Sequence, residues 1–274
     1  VFTATASEFE IALSWIDSTQ ADGYLILANS TGTFTPPVDG IDPSEDIDLS
    51  DGSALIKVAQ GEEGASLFGA PDTQYFFTIH PYSNTGLNID FKTDGTAPTA
   101  DATTGSLPNL IISEIMQNPA AVSDFDGEYF ELYNAESFDV DIEGYTIKDD
   151  DDDSHVIASS LVIPAQGYVV LGKSTDTTIN GNLIVDYAYG GDIALSNSGD
   201  EIVLIATNGV TEVDRVVFPG GADPESEEDN FPGASGASIV FTGGINDDNN
   251  NGSLWVRVDG REPGYIGTVG DSGS

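Results

Sequence analysis

Apolar and polar residues alternate in short runs along most of the chain. Phe9, Ile11, Leu13 and Trp15 are separated by Glu10, Ala12 and Ser14, a period of two that predicts a half-buried strand. Tyr24–Ala28, Leu55–Ala59 and Asn88–Thr93 read as further strands. Thr73–Tyr82 is a longer aromatic one in which Tyr75, Phe77 and Ile79 share a face. The pattern resumes at Leu110–Met116, where Leu110, Ile112, Glu114 and Met116 alternate with Ile111, Ser113 and Ile115. Strands are then expected at Glu128–Tyr133, Tyr145–Lys148, Tyr168–Leu171, Ile193–Leu195, Glu201–Ala206 and Val213–Phe218. Few stretches hold a helical period. The expected fold class is all-β, as two tandem immunoglobulin-like β-sandwiches.

Between the two runs of strands lies GTAPTADATTGSLP (Gly95–Pro108), small, polar and bounded by proline. The expected division is residues 1–97 as a first sandwich, 98–108 as a linker, 109–267 as a second sandwich and 268–274 as a polar tail. No apolar run approaches the roughly 20 residues needed to cross a bilayer as a helix, so membrane insertion is not expected. Val1 opens directly into a Thr/Ser-rich lead, which reads as a mature protein or an excised fragment.

Charge changes the picture most. The chain of 274 residues has 7 Lys and Arg against 47 Asp and Glu, a formal net charge of −40. Residues 1–106 hold 16 acids and 2 bases; residues 107–274 hold 31 acids and 5 bases. Such a field repels phosphate backbones, so nucleic acid is not an expected partner. Of the acids 31 are Asp, a turn and calcium residue, which places them in loops of a β scaffold. A solvated surface adapted to salty water accounts for most of them, because salt screens self-repulsion. The absence of Cys removes disulfides and thiolate chemistry.

The candidate chemistry is a set of acidic turns that could hold calcium. Asp124, Asp126 and Glu128 flank Gly127, and alternate carboxylates around such a turn can converge on one hard cation, with Glu114 and Glu131 near enough in the neighbouring strands to complete the set. Asp149, Asp151 and Asp153 alternate within five successive aspartates. Asp247, Asn249 and Asn251 fit the first half of an EF-hand loop, but Val258 stands where its bidentate Glu belongs and the flanks read as strands. Each has a plainer reading: a solvated hairpin tip or a turn tied by Asn side chains. Glu225–Asp229, between Pro224 and Pro232, reads as a solvated loop.

Enzyme templates are not met. There is no G-x-S-x-G and no phosphate-binding glycine loop, and a Ser–His–Asp triad would have to use His80 or His155. With so many acids, a carboxylate pair at glycosidase spacing is expected by chance and carries no weight.

Two resemblances follow from these residues. EIALSWIDS, DGYLILAN, DTQYFFTIHPYSNTG and DFKTDGTAP are similar to a fibronectin type III domain. The resemblance implies that Trp15 and Tyr24 pack across two sheets and that Tyr75 is a corner tyrosine bonding back to the main chain. NLIISEIMQNP, GEYFELYN, PAQGYVVL and SNSGDEIVL resemble the lamin-tail domain, with NDDNNNGSLW and EPG similar to the closing part of bacterial members, over about Pro108 to Gly264. Together they imply a non-catalytic accessory region of a secreted or cell-surface bacterial protein, marine or salt-tolerant: a calcium-stabilised spacer, adhesion or docking module. A calcium-dependent polysaccharide-binding module is the alternative, and a carboxylate-based hydrolase comes third. Expected partners are other domains of the parent protein, or an extracellular glycan or protein. A monomer is expected.

Overall fold

The computed structural model describes residues 1–49, 51–219, 231–233 and 235–258. It divides into two units, Val1–Leu107 and Pro108–Ser274, and nearly all its regular structure is strand.

The first unit contains β1 (Thr3–Ala6), β2 (Glu10–Ser14), β3 (Gly23–Asn29), β4 (Ser53–Ala59), β5 (Gly64–Phe68), β6 (Gln74–Ser83), β7 (Asp90–Phe91) and β8 (Thr99–Thr103). One sheet runs β1-β2-β5. The other runs β4-β3-β6, and β6 then carries β8 along Gln74–Thr78 and β7 at Tyr82–Ser83. Period-two alternation along β2 sends Ile11 and Leu13 inward and Glu10, Ala12 and Ser14 outward. Ile11, Leu13 and Trp15 from the first sheet share one core with Tyr24, Ile26, Phe77 and Ile79 from the second. The Trp15 and Tyr24 rings meet at 5.6 Å between centroids. The buried Tyr75 hydroxyl accepts the Ala70 backbone N–H at 3.0 Å. Its ring lies so close to Gly69 that a Cβ there would stand 2.4 Å from it, so the corner needs glycine.

β8 lies within the segment expected to be a linker. Thr99–Thr103 alternates small and polar residues, too weak a pattern to announce a strand. The open edge of β6 recruits it through main-chain bonds. The strand expected at Asn88–Thr93 shrinks to β7, because Gly86–Asn88 forms a 3₁₀ turn.

The second unit contains β9 (Leu110–Met116), α1 (Asp124–Gly127), β10 (Tyr129–Asn134), β11 (Val140–Asp141), β12 (Thr146–Lys148), β13 (Ser154–Val156), β14 (Val162–Ile163), β15 (Tyr168–Gly172), β16 (Tyr187–Ala188), β17 (Gly199–Ile205), β18 (Glu212–Pro219), β19 (Ser238–Phe241) and β20 (Trp255–Val258). Six strands order as β16-β15-β10-β9-β19-β20 and four as β13-β12-β17-β18, with β11-β14 as a small pair. All seven residues of β9 are buried. Successive residues face opposite ways in a strand, so both faces of β9 are covered, which alternation by itself does not reveal. Glu225–Asp229 and the closing EPG segment lie outside the described residues, as does the expected polar tail.

Ile193–Leu195 was expected as a strand and is not one. Ile193 and Leu195 are buried and Ala194 between them is exposed, yet the segment pairs with no strand among the described residues. Its main chain is bonded by side chains instead: Ala194 N–H donates to Asp153 Oδ2 at 2.7 Å, Leu195 N–H to Glu128 Oε2 at 3.1 Å, and the Ile193 carbonyl accepts from Lys173 Nζ. Ser196 N–H donates to Asp200 Oδ2 at 2.6 Å. Main-chain groups beside buried side chains must find partners, and here carboxylates and a lysine supply them.

Candidate functional site

The acids singled out in the sequence fall at four places in the second unit. At the first, Asp124–Gly127 folds into a single helical turn. The turn brings Gly127 so close to Val122 that a Cβ would lie 2.3 Å from its side chain. Asp124 Oδ2 accepts from the Asn197 side-chain amide at 2.8 Å, and Asp126 Oδ2 accepts from the Ser123 hydroxyl at 2.7 Å. Glu128 does not stay with them. It turns inward, and its Oε2 lies 3.2 Å from Lys173 Nζ, both side chains 5% exposed. Lys173 also lies over the Tyr189 ring at 5.9 Å. Burial pushes the Glu128 carboxyl up, while the Leu195 N–H and the Lys173 ammonium pull it back. A buried carboxylate needs an opposite charge or a set of donors, and Lys173 provides the charge that a cation was expected to provide.

At the second, Glu131 and Glu114 stand opposite each other on β10 and β9. A bulge between Glu131 and Leu132 leaves Ser113 as the extra residue of β9, and its hydroxyl donates to Glu131 Oε1 at 2.7 Å. The Tyr129 hydroxyl donates to Glu114 Oε1 at 2.7 Å. Glu131 is fully buried, its Oε2 has no hydrogen-bond partner, and desolvation followed by the neighbouring acids Glu114 and Asp186 raises its pKa to about 9 against the pull of Ser113.

At the third, Asp149–Asp153 forms the tip of the β12–β13 hairpin. Asp149 Oδ1 accepts the Asp153 N–H at 2.9 Å, and Asp153 holds Ala194. Asp150 accepts from the two terminal guanidinium nitrogens of Arg215, at 2.7 and 3.1 Å, while Arg215 Nε donates to Glu212. Asp151 and Asp152 are exposed.

At the fourth, Asp247–Gly252 is a loop between β19 and β20, so the strand-flanked turn expected there is what forms. Asp247 Oδ2 accepts the Gly244 N–H at 2.7 Å, and Asn251 Oδ1 accepts from Ser253. Asn249 is buried: its amide donates to Asp214 Oδ2 at 2.7 Å and its carbonyl accepts the Trp255 indole N–H at 2.7 Å. Asp214 also accepts the Ile112 N–H at 2.6 Å, and burial raises its pKa to about 6. The Asn250 side chain bonds Val217 N–H and the Arg215 carbonyl, continuing the edge of β18 as a strand would.

Among the described residues, no group of three or more His, Asp or Glu side chains is arranged to hold a metal ion. Lys173 and Asp214 were missed in the sequence. A lone Lys in YVVLGK carries no motif, although a basic residue within a buried strand run is a signal for a buried acid. His155 lies between Asp192 and Tyr187, at 2.8 and 2.9 Å, with no serine hydroxyl among its hydrogen bonds.

Fold and site define an all-β protein with immunoglobulin-like sandwich character, whose polar interior groups bond the protein's own main chain and side chains. Residues 103–220 match the family model for the Lamin Tail Domain. That range ends at β18, short of the Gly264 reached by the resemblance in the sequence; β19 nevertheless pairs with β9. No curated protein matches. A crystal structure of a DUF4876 family protein from Bacteroides thetaiotaomicron VPI-5482 aligns over 95% of this chain and 92% of that one, at 10% identity and a TM-score of 0.30, too low to carry an argument. Among the described residues no helix is long and apolar enough to cross a membrane.

Proposed function

We propose that this chain is a non-catalytic accessory region, a spacer or docking unit of a secreted or cell-surface bacterial protein. One observation carries the reading. The carboxylates of Glu128, Asp153 and Asp200 and the ammonium of Lys173 are used to bond the backbone of residues 193–196. Groups bonded to a main chain that lacks strand partners serve the fold, and the fold by itself names no reaction. The first unit is read as fibronectin type III-like, on the Trp15–Tyr24 packing and the Tyr75 hydroxyl bond.

Calcium, adhesion and salt adaptation are the finer parts of the proposal. Diffuse cation association, rather than a coordinated ion, belongs in this reading to the exposed Asp151 and Asp152 of the hairpin tip, whose neighbours Asp149, Asp150 and Asp153 are held by partners within the protein. A hydrolase panel tests the main reading: turnover no greater than in buffer supports it, and turnover lost on replacing a named carboxylate overturns it. Thermal unfolding in calcium and in chelator, at matched ionic strength, tests the ion. A ligand at 100 times its dissociation constant adds about 2.7 kcal/mol, so an unmoved midpoint removes calcium from the account. A glycan array read with and without chelator tests the polysaccharide alternative.

A further inference from the structure

The sheet edges are finished in different ways. On β4 the outward N–H groups of Ser53, Leu55 and Lys57 are taken by Asp51 Oδ1, the Asp46 carbonyl and Glu45 Oε1, at 2.9, 2.6 and 2.9 Å. On β18 the Asn250 side chain does the same for Val217 N–H and the Arg215 carbonyl. β5 has no such cover. The Trp15 N–H donates to the Glu63 carbonyl and the Gly69 N–H to the Phe9 carbonyl, which fixes the register on β2. Ala65 and Leu67 therefore bond β2, and the main-chain groups of Gly64, Ser66 and Phe68 point away from it. Among the described residues nothing bonds those outward groups. Gly64 and Ser66 are exposed, and Phe68 is 58% exposed on the outer face. A row of unpaired N–H and C=O groups is a template for one more strand, and a closed β4 beside an open β5 marks where one can be added.

Charge selects the partner. Glu62 and Glu63, both exposed, precede β5, and the exposed Glu10 lies opposite Phe68 on β2. The two bases of the unit, Lys57 and Lys92, are already paired with Asp42 and Asp94. We propose that the β5 edge docks an extended segment of a basic partner protein, antiparallel to β5, with an apolar residue beside Phe68 and Lys or Arg further along against Glu63 and Glu62. A second copy of this chain fits worse, because its own β5 carries no base and two chains of net charge −40 repel. This surface gives the docking role proposed above its place, and so rests on that reading.

The test uses the full chain and the end-blocked peptide Ile-Thr-Thr-Val-Thr-Lys-Lys, followed by backbone amide signals in a proton–nitrogen NMR spectrum. Antiparallel addition puts its Ile beside Phe68 and its lysines beside Glu63 and Glu62. Saturable shifts and slowed hydrogen exchange are expected at Gly64, Ser66 and Phe68. The same peptide N-methylated at its third and fifth residues, whose N–H groups face β5, is expected to give no response. Glu in place of both Lys is expected to weaken binding roughly tenfold, two exposed attractions becoming repulsions. Ser66→Pro removes one outward N–H without touching a bond to β2 and is expected to abolish binding. Phe68→Glu, at an exposed side chain, is expected to weaken it and serves even where the proline variant fails to fold. Equal binding of the N-methylated peptide overturns strand addition. Equal binding of the acidic peptide overturns the basic partner. Protection of β5 that grows with protein concentration and no peptide gives the edge to a second copy instead, and no saturable change at β5 rejects the site. None of these outcomes alters turnover in a hydrolase panel, so the docking surface and the non-catalytic reading fail separately.

Discussion

Glu131 of β10 lies directly opposite Glu114 of β9, and both carboxyl groups are buried, at 0% and 2% exposure. Two ionised carboxylates are strongly disfavoured in such a place, since both are desolvated and like charges face each other. With a pKa of about 9, Glu131 is a neutral acid at pH 7. Its Oε2 has no hydrogen-bond partner, which a neutral carboxyl tolerates better than a carboxylate does.

The pH dependence of stability follows from that pairing. The folded state keeps a proton on Glu131 that the unfolded chain releases near its ordinary value of 4.5. Stability from this group is therefore complete below about pH 4.5 and falls as pH rises toward 9. Asp214 acts in the same direction over the narrower window from 3.8 to about 6. Glu131→Gln, neutral at every pH and nearly the same shape, should match the parent near pH 4 to 5. It should gain on the parent by roughly 1 kcal/mol per pH unit through pH 6 to 8. Urea midpoints measured across that range check it, and parallel pH curves for the two proteins refute the neutral acid.

Lys173→Met should cost about 3–5 kcal/mol, the usual result of leaving a buried charge without its partner. The loss strands Glu128 and also the Ile193 carbonyl. The double variant Glu128→Leu/Lys173→Met should recover part of that loss, because the uncompensated charge is gone, but not all of it, because Leu195 N–H still lacks its acceptor. Denaturant unfolding of the three proteins separates the ion pair from the main-chain role.

Asn249→Ala should destabilise the second unit by about 1–3 kcal/mol, the cost of leaving a buried polar partner unsatisfied. Asp214 loses a donor, while the Asn249 main-chain bond to Trp255 is unaffected. Asn251→Ala, whose side chain only ties an exposed turn to Ser253, should cost far less. A calcium site using both residues predicts comparable losses for both in calcium and none in chelator, so the same titration in the two buffers decides.

Tyr75→Phe should lower the stability of the first unit by about 1–2 kcal/mol, since it removes the acceptor of the Ala70 N–H without emptying the core. Gly69→Ala should cost at least as much, because the added carbon meets the Tyr75 ring. Thermal unfolding monitored by Trp15 fluorescence reads both.

The strands on one-sided surfaces were legible in the chain because alternation is a local property. Phe9–Trp15 needed only a core on one side, and Tyr24–Ala28 and Leu110–Met116 formed where expected even though both their faces are covered. Thr99–Thr103 was not legible, since its strand character comes from the edge of β6 rather than from its own residues. Ile193–Leu195 misled in the opposite sense: Ile193 and Leu195 are buried as the pattern promised, but distant side chains supply the segment's bonds.

The candidate acids show the same division. The sequence by itself determined an acidic, disulfide-free, all-β chain, because composition and alternation act residue by residue. Only the tertiary structure decided which carboxylates remain exposed and which are buried against Lys173, Ser113, Asn249 or a facing glutamate. Desolvation and pairing depend on partners tens of residues away, and a run of aspartates and glutamates looks the same before those partners arrive.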